Sequence, residues 1–105
     1  MIDNTFTIKE GRVEEISWGT YNGKRQCELL IGQKMPSAPA GQYQPKDNLF
    51  KIRIFYSKML ERIEQELMIG MMVDFKVNVS CQPFERNGNT FHNPYFELLD
   101  FKLMN

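Results

Sequence analysis

Histidine and cysteine are nearly absent from this chain of 105 residues: there is one histidine, His92, and two cysteines, Cys27 and Cys81. The cysteines lack metal-ligand spacing. A lone histidine beside Asn93 and Pro94 reads as a surface or stacking residue rather than a catalytic base. There is no glycine-rich phosphate loop, no metal-binding helix motif and no nucleophile elbow. The carboxylate pairs Glu14–Glu15 and Glu64–Glu66 fall in stretches that read as solvated faces. Neither catalysis, nor a cofactor, nor a small-molecule substrate is expected. Long apolar runs are also missing. None approaches the roughly 20 residues that cross a membrane, and "MIDNTFTIKE" puts acidic and polar residues where a signal peptide needs an apolar segment. The expectation is a cytoplasmic protein with both cysteines as buried free thiols. Net charge is absent as well, with 13 Lys+Arg against 13 Asp+Glu. That counts against coating a polyanion by bulk charge, but leaves room for a locally basic surface.

What remains is the composition of one ordinary globular domain spanning 1–105, with 42% hydrophobic and 25% charged residues. Residues 5–18, "TFTIKEGRVEEISW", read as a long strand that bends or bulges near Gly11. Asn22-Gly23 is a strong hairpin signal, and "QCELLIG", 26–32, returns with Cys27, Leu29 and Ile31 on one face. Residues 33–48 hold three prolines and no apolar period, which predicts a long mobile loop. "LFKIRIFYSK", 49–58, alternates with a period of two: Phe50, Ile52 and Ile54 inward, Lys51, Arg53 and Phe55 outward. Ser57 can cap a helix to about Met68, with Met59, Leu60, Ile63, Leu67 and Met68 on one side and Gly70 as its stop. A fourth strand, 71–81, turns Val73, Phe75, Val77 and Val79 inward. "RNGN" at 86–89 is a second hairpin turn, and 90–103 is the last strand, with Pro94 marking an edge or bulge.

Five strands with one helix between the third and fourth is the element order of the OB-fold, an all-β Greek-key barrel. The stretches "GRVEEISW", "YNGKRQCELLI", "LFKIRIFYSKMLERI", "GMMVDFKVNV" and "ERNGNTFHNPYFELLDFKL" resemble small single-stranded DNA-binding proteins of the OB-fold type, bacterial and phage forms included. Bacterial members usually end in a flexible acidic tail, whereas this sequence stops at "FKLMN". Within the resemblance, that difference leads to the expectation of a phage or mobile-element protein without tail-mediated recruitment. The implied partner is single-stranded DNA, coated with little sequence preference during replication or recombination, by a homo-oligomer. A protein-binding OB module and an RNA-binding one are the alternatives.

Such a ligand needs cations for its phosphates and rings for its bases, set mainly over the second and third strands and the flanking hairpins. Lys51, Arg53 and Phe55 on the third strand are the leading candidates. The first hairpin adds Trp18, Tyr21, Lys24 and Arg25. The second adds Arg86 and Tyr95, with Phe84, Phe91 and His92 nearby, and the long loop adds Tyr43. Plainer roles compete for the same residues. Trp18 can cover the barrel end, and either Phe55 or Tyr56 is expected to pack under the helix. Phe84 and Phe91 can form a cross-strand pair. Lys51 and Arg53 can face Glu14 or Glu28 as ordinary surface ion pairs.

Overall fold

The computed structural model describes residues 4–35, 41 and 47–104, with backbone alone for Gln82, Phe84, His92 and Asn93. Most of the 33–48 loop, Tyr43 and Lys46 included, lies outside the described residues. The elements follow in the expected order: β1 (Thr5–Tyr21), β2 (Lys24–Gln33), β3 (Asn48–Ile54), α1 (Ser57–Glu66), β4 (Met72–Arg86) and β5 (Asn89–Leu103). All strands join one antiparallel sheet in the order β3-β2-β1-β4-β5. Its two outer strands, β3 and β5, lie against each other. There the rings of Phe50 and Phe96 meet edge-on, their centroids 5.7 Å apart, and Phe6 of β1 packs 6.3 Å from each.

Both Asn-Gly pairs sit at hairpin tips with positive φ at each residue: 52° and 76° at Asn22 and Gly23, 53° and 77° at Asn87 and Gly88. Two consecutive left-handed residues match the twist of the flanking strands, which is why this dipeptide sets hairpin register. The bend of β1 is where the sequence places it. Register shifts between Ile8 and Gly11 and again between Val13 and Glu15. Glu10 takes φ 53°, and its N–H donates to Asp74 Oδ1 at 2.9 Å. Gly11 is there for closeness, since a Cβ would stand 2.7 Å from Ile31 Cγ2 and 3.1 Å from the Phe75 ring.

The predicted inward rows form the core. Cys27, Leu29, Ile31, Ile52, Val73, Phe75 and Val77 are fully buried, and Leu60, Ile63 and Leu67 close over them from the helix side. Four expectations are corrected. The helix ends at Glu66, not Met68; Met68 is 68% exposed, while Leu67 stays buried just past the last turn. Ser57 is the first helical residue and caps nothing, the N-cap position being Tyr56. Neither Phe55 nor Tyr56 packs under the helix: both occupy the link after β3 and are exposed. Cys81 is exposed, not buried. The last correction follows from strand length. β1 accompanies β4 only as far as Asn78, so 80–95 continue as a two-stranded arm, on which Cys81 is exposed. Pro94 lies in that arm, opposite Cys81 on the outer strand β5.

Candidate nucleic-acid interface

Cross-strand register decides which side chains share a surface, because directly paired residues point to the same face. The rows Ile16–Leu29–Ile52 and Trp18–Cys27–Ile54 run on the core side of β1, β2 and β3. The alternate rows, Ser17–Glu28–Arg53 and Glu15–Leu30–Lys51, are therefore on the outer surface. The side chains of Lys51 and Arg53 are 68% and 47% exposed there, on either side of Glu28. Lys51 Nζ lies 3.3 Å from Glu28 Oε1, and Arg53 Nη2 lies 3.4 Å from Glu28 Oε2. Two cations thus share one carboxylate, and the cluster carries a net positive charge. Ion pairs this exposed are worth at most about 1 kcal/mol, so an incoming anion displaces them at little cost. Glu14 is engaged elsewhere, by Arg12.

Beside this cluster β5 supplies the second wall. A groove of about 470 Å³ is lined by Glu28, Lys51, Arg53, Pro94, Tyr95 and Phe96. Arg53 and Tyr95 also line an adjoining cavity of about 220 Å³, together with Phe55, Tyr56, Glu97, Ile54 and Leu98. The Tyr56 hydroxyl donates to Glu97 Oε1 at 2.6 Å. That bond and the carboxylate charge raise the phenol's pKa above its ordinary value, so Tyr56 stays neutral. The Phe55 ring lies 6.3 Å from that of Tyr21, tilted by 60°. On its other side Phe55 borders a hollow of about 300 Å³ shared with Lys24 and Arg25. These hollows and the Phe55–Tyr21 contact link Lys51, Arg53, Tyr95, Phe55, Tyr21 and Lys24 in that order.

The other candidates are placed differently, although Arg25 also borders the hollow beside Phe55. Trp18 and Arg25 belong to the core-side row pattern, at its open end. The Arg25 guanidinium stacks 4.3 Å from the centre of the Trp18 ring and pairs with Glu64 of α1 at 3.0 Å. The ring and the cation meet each other there, and one face of Trp18 is already covered. Arg86 is exposed at the arm tip, roughly 20 Å of strand beyond Tyr95 at about 3.3 Å per residue. Tyr43 lies outside the described residues. Two residues of the cavity, Tyr56 and Glu97, were not legible as site residues. The alternation of β3 stops at Ile54, so parity says nothing of residue 56, and Glu97 reads as one solvated acid among many.

No protein-family model matches the chain, and no curated protein matches it. Solved structures do. The mitochondrial single-stranded DNA-binding protein of S. cerevisiae superimposes with a TM-score of 0.71 at 22% identity, covering 99% of this chain and 97% of that one. A complex of the Plasmodium falciparum single-stranded DNA-binding protein with single-stranded DNA gives 0.72 at 15% identity, covering 97% and 95%. The small single-stranded DNA-binding protein of Streptomyces coelicolor gives 0.68 at 8% identity, covering 99% and 96%. The chain is an OB-fold. At these identities the likeness is one of architecture, and the candidate surface stands on its own geometry.

Proposed function

We propose that the protein is a non-catalytic binder of single-stranded DNA that sheathes exposed strands in replication or recombination. The observation that carries this reading is the groove over β3 and β5, where Lys51 and Arg53 alternate with the rings of Phe55 and Tyr95. Phosphates replace Glu28 between the two cations, and bases stack on the rings beside them. Stacking is worth about 1–3 kcal/mol per base and tolerates any sequence, since every base has a π-face. The structural likeness to three proteins described as binding single-stranded DNA supports the same ligand.

The test is a fluorescence titration with oligothymidine, RNA and duplex DNA at two salt concentrations. Wild type should prefer oligothymidine. K51E/R53E should bind about tenfold more weakly or worse, because hydrogen bonds to charged groups contribute about 1.5–3 kcal/mol each. Its affinity should also depend less on salt, the logarithmic slope falling by about 1.4 if two phosphate contacts are lost. E28Q leaves both cations and removes their competitor, so it should bind more tightly. Wild-type affinity from a K51E/R53E protein with an unchanged circular dichroism spectrum would remove this groove from the mechanism.

The same reading includes self-association. Met68 and Ile69 are 68% and 65% exposed, and Met72 and Met104 are also bare. Their backbones are drawn together by bonds from Met71 N–H to Met68 O and from Met104 N–H to Met72 O. Exposed apolar side chains on neighbouring segments suit a protein contact. A second copy of the chain, which would lengthen the DNA track, is the partner we assign to it.

A further inference from the structure

We infer that the cavity between β3 and β5 is a base-reading subsite that favours guanine within an otherwise sequence-tolerant track. The inference rests on the single-strand binding proposed above. A stacking platform needs only rings and cations, and a carboxylate in it repels phosphate. Yet Glu97 lines this cavity together with Phe55, Tyr56, Tyr95 and Arg53. It is held by the Tyr56 hydroxyl at 2.6 Å on Oε1. An ionised carboxylate has about four lone-pair sites on two oxygens, so one phenol leaves most of its capacity to accept hydrogen bonds. Arg53 spends one Nη2 contact at 3.4 Å on Glu28, which leaves most of its five donors. The cavity therefore offers donors from Arg53 and acceptors from Glu97, beside aromatic faces.

Base edges differ in what they present to such a wall. Guanine shows an acceptor, O6, followed by two adjacent donors, N1–H and the N2 amino group. Two adjacent donors match the two oxygens of a carboxylate, and O6 matches a guanidinium. Thymine flanks its single N–H with two carbonyl oxygens, which a carboxylate repels. Adenine and cytosine place a ring acceptor beside their amino group, so each gives Glu97 one donor and one repulsion. Single-stranded bases are recognised in this way, stacked on rings and read along their Watson–Crick edges.

The test compares oligothymidines of about twelve residues, within the ~4–16 nucleotides that one OB-fold covers. A central thymine is replaced by guanine, hypoxanthine, adenine or cytosine. Wild type should bind the guanine oligomer about five- to tenfold more tightly than the all-thymine one, in keeping with the gain from a good bidentate pair. Hypoxanthine, which lacks the N2 amino group, should recover only part of that gain. In E97Q the guanine-to-thymine ratio should fall to near unity, whatever the loss of a negative charge does to overall affinity. Equal binding of all five oligomers by wild type overturns the subsite and leaves the proposed function intact. So does a ratio that survives in E97Q. Failure to bind any of them removes both. Hypoxanthine needs no variant, so a folding defect in E97Q does not protect the inference.

Discussion

Cys27 and Cys81 carry one kind of side chain into two environments. Cys27 sits in the core between Trp18 and Ile54, with no accessible surface. Burial pushes its thiol pKa up to about 11; the charge of Glu28 adds to the rise and that of Arg25 opposes it. Cys81 lies exposed on the arm. A thiol reagent at about pH 8 should therefore titrate one cysteine in the folded protein and two in denaturant, since thiolate and access together set reactivity. The linkage has a definite sign. The folded state holds the Cys27 proton more tightly than the unfolded chain, whose thiol pKa is about 8.5. The resulting stability is present in full below that value and is lost as pH rises through about 11. Replacing Cys27 by Ala should remove this part of the alkaline destabilisation. Two thiols that react at equal rates in the native protein would contradict the burial. Side-chain parity was legible at this position. The Asn22-Gly23 turn pairs Tyr21 with Lys24, which counts back to Trp18 opposite Cys27. Once Cys27 is assigned inward, Trp18 and its neighbour Arg25 across the row pattern follow it to the core side. Their mutual stacking could not be read, because it depends on how far the hairpin leans toward Glu64 of the helix.

At the scale of elements, the decisive piece is the bent first strand. β1 pairs with β2 along its second half and with β4 along its first, and a straight strand could not serve both in a closed core. Gly11 lies at the change of partner with no space for a Cβ. Gly11→Ala should cost about 1–3 kcal/mol, the usual range for overpacking a core. Neither the fully buried Ile31 nor Phe75 has an open side to move into. Urea denaturation followed by circular dichroism measures the loss; a change within error would mean that the strand relaxes around the extra methyl. Strands and turns were readable because period-two alternation and Asn-Gly pairs are local signals. The arm at 80–95 was less so. "SCQPFERNGNTFHNPY" loses its apolar alternation at the point where β1 departs, so the alternation predicts a strand end at Cys81, five residues before Arg86. The helix ends short of its apolar spacing for the converse reason. Leu67 keeps the apolar spacing, yet it caps the helix in extended conformation with its N–H on Ile63 O at 3.0 Å. The chain then leaves through Gly70 at φ 93°, whose N–H bonds Val13 O at 2.8 Å.

For the whole molecule, zero net charge conceals an uneven surface. Cations and rings gather over β3 and β5, whereas the helix exit shows Met68, Ile69, Met72 and Met104 to solvent. The sequence could not separate these methionines from core ones, since Met59 and Met71 nearby do pack against the interior. The difference is made where the helix ends: Leu67 is already extended, so Met68 has left the helix face that holds Leu60 and Ile63. A folded chain gains about 25 cal/mol for each Å² of apolar surface removed from water, so the exposed patch favours a contact that covers it. If a second copy does so, sedimentation velocity at micromolar concentrations should show a dimer or larger species. M68K/I69K should shift it to monomer while leaving the melting transition of the fold in place, since both side chains already stand in water. Linked subunits present the grooves together, and binding to the second is then governed by effective concentration rather than by free encounter. The variant should therefore lose affinity for long oligothymidine far more than for an oligomer that fills one groove. A monomeric wild type, or a variant that keeps its assembly, would leave the apolar patch to some other partner and the DNA track to a single subunit.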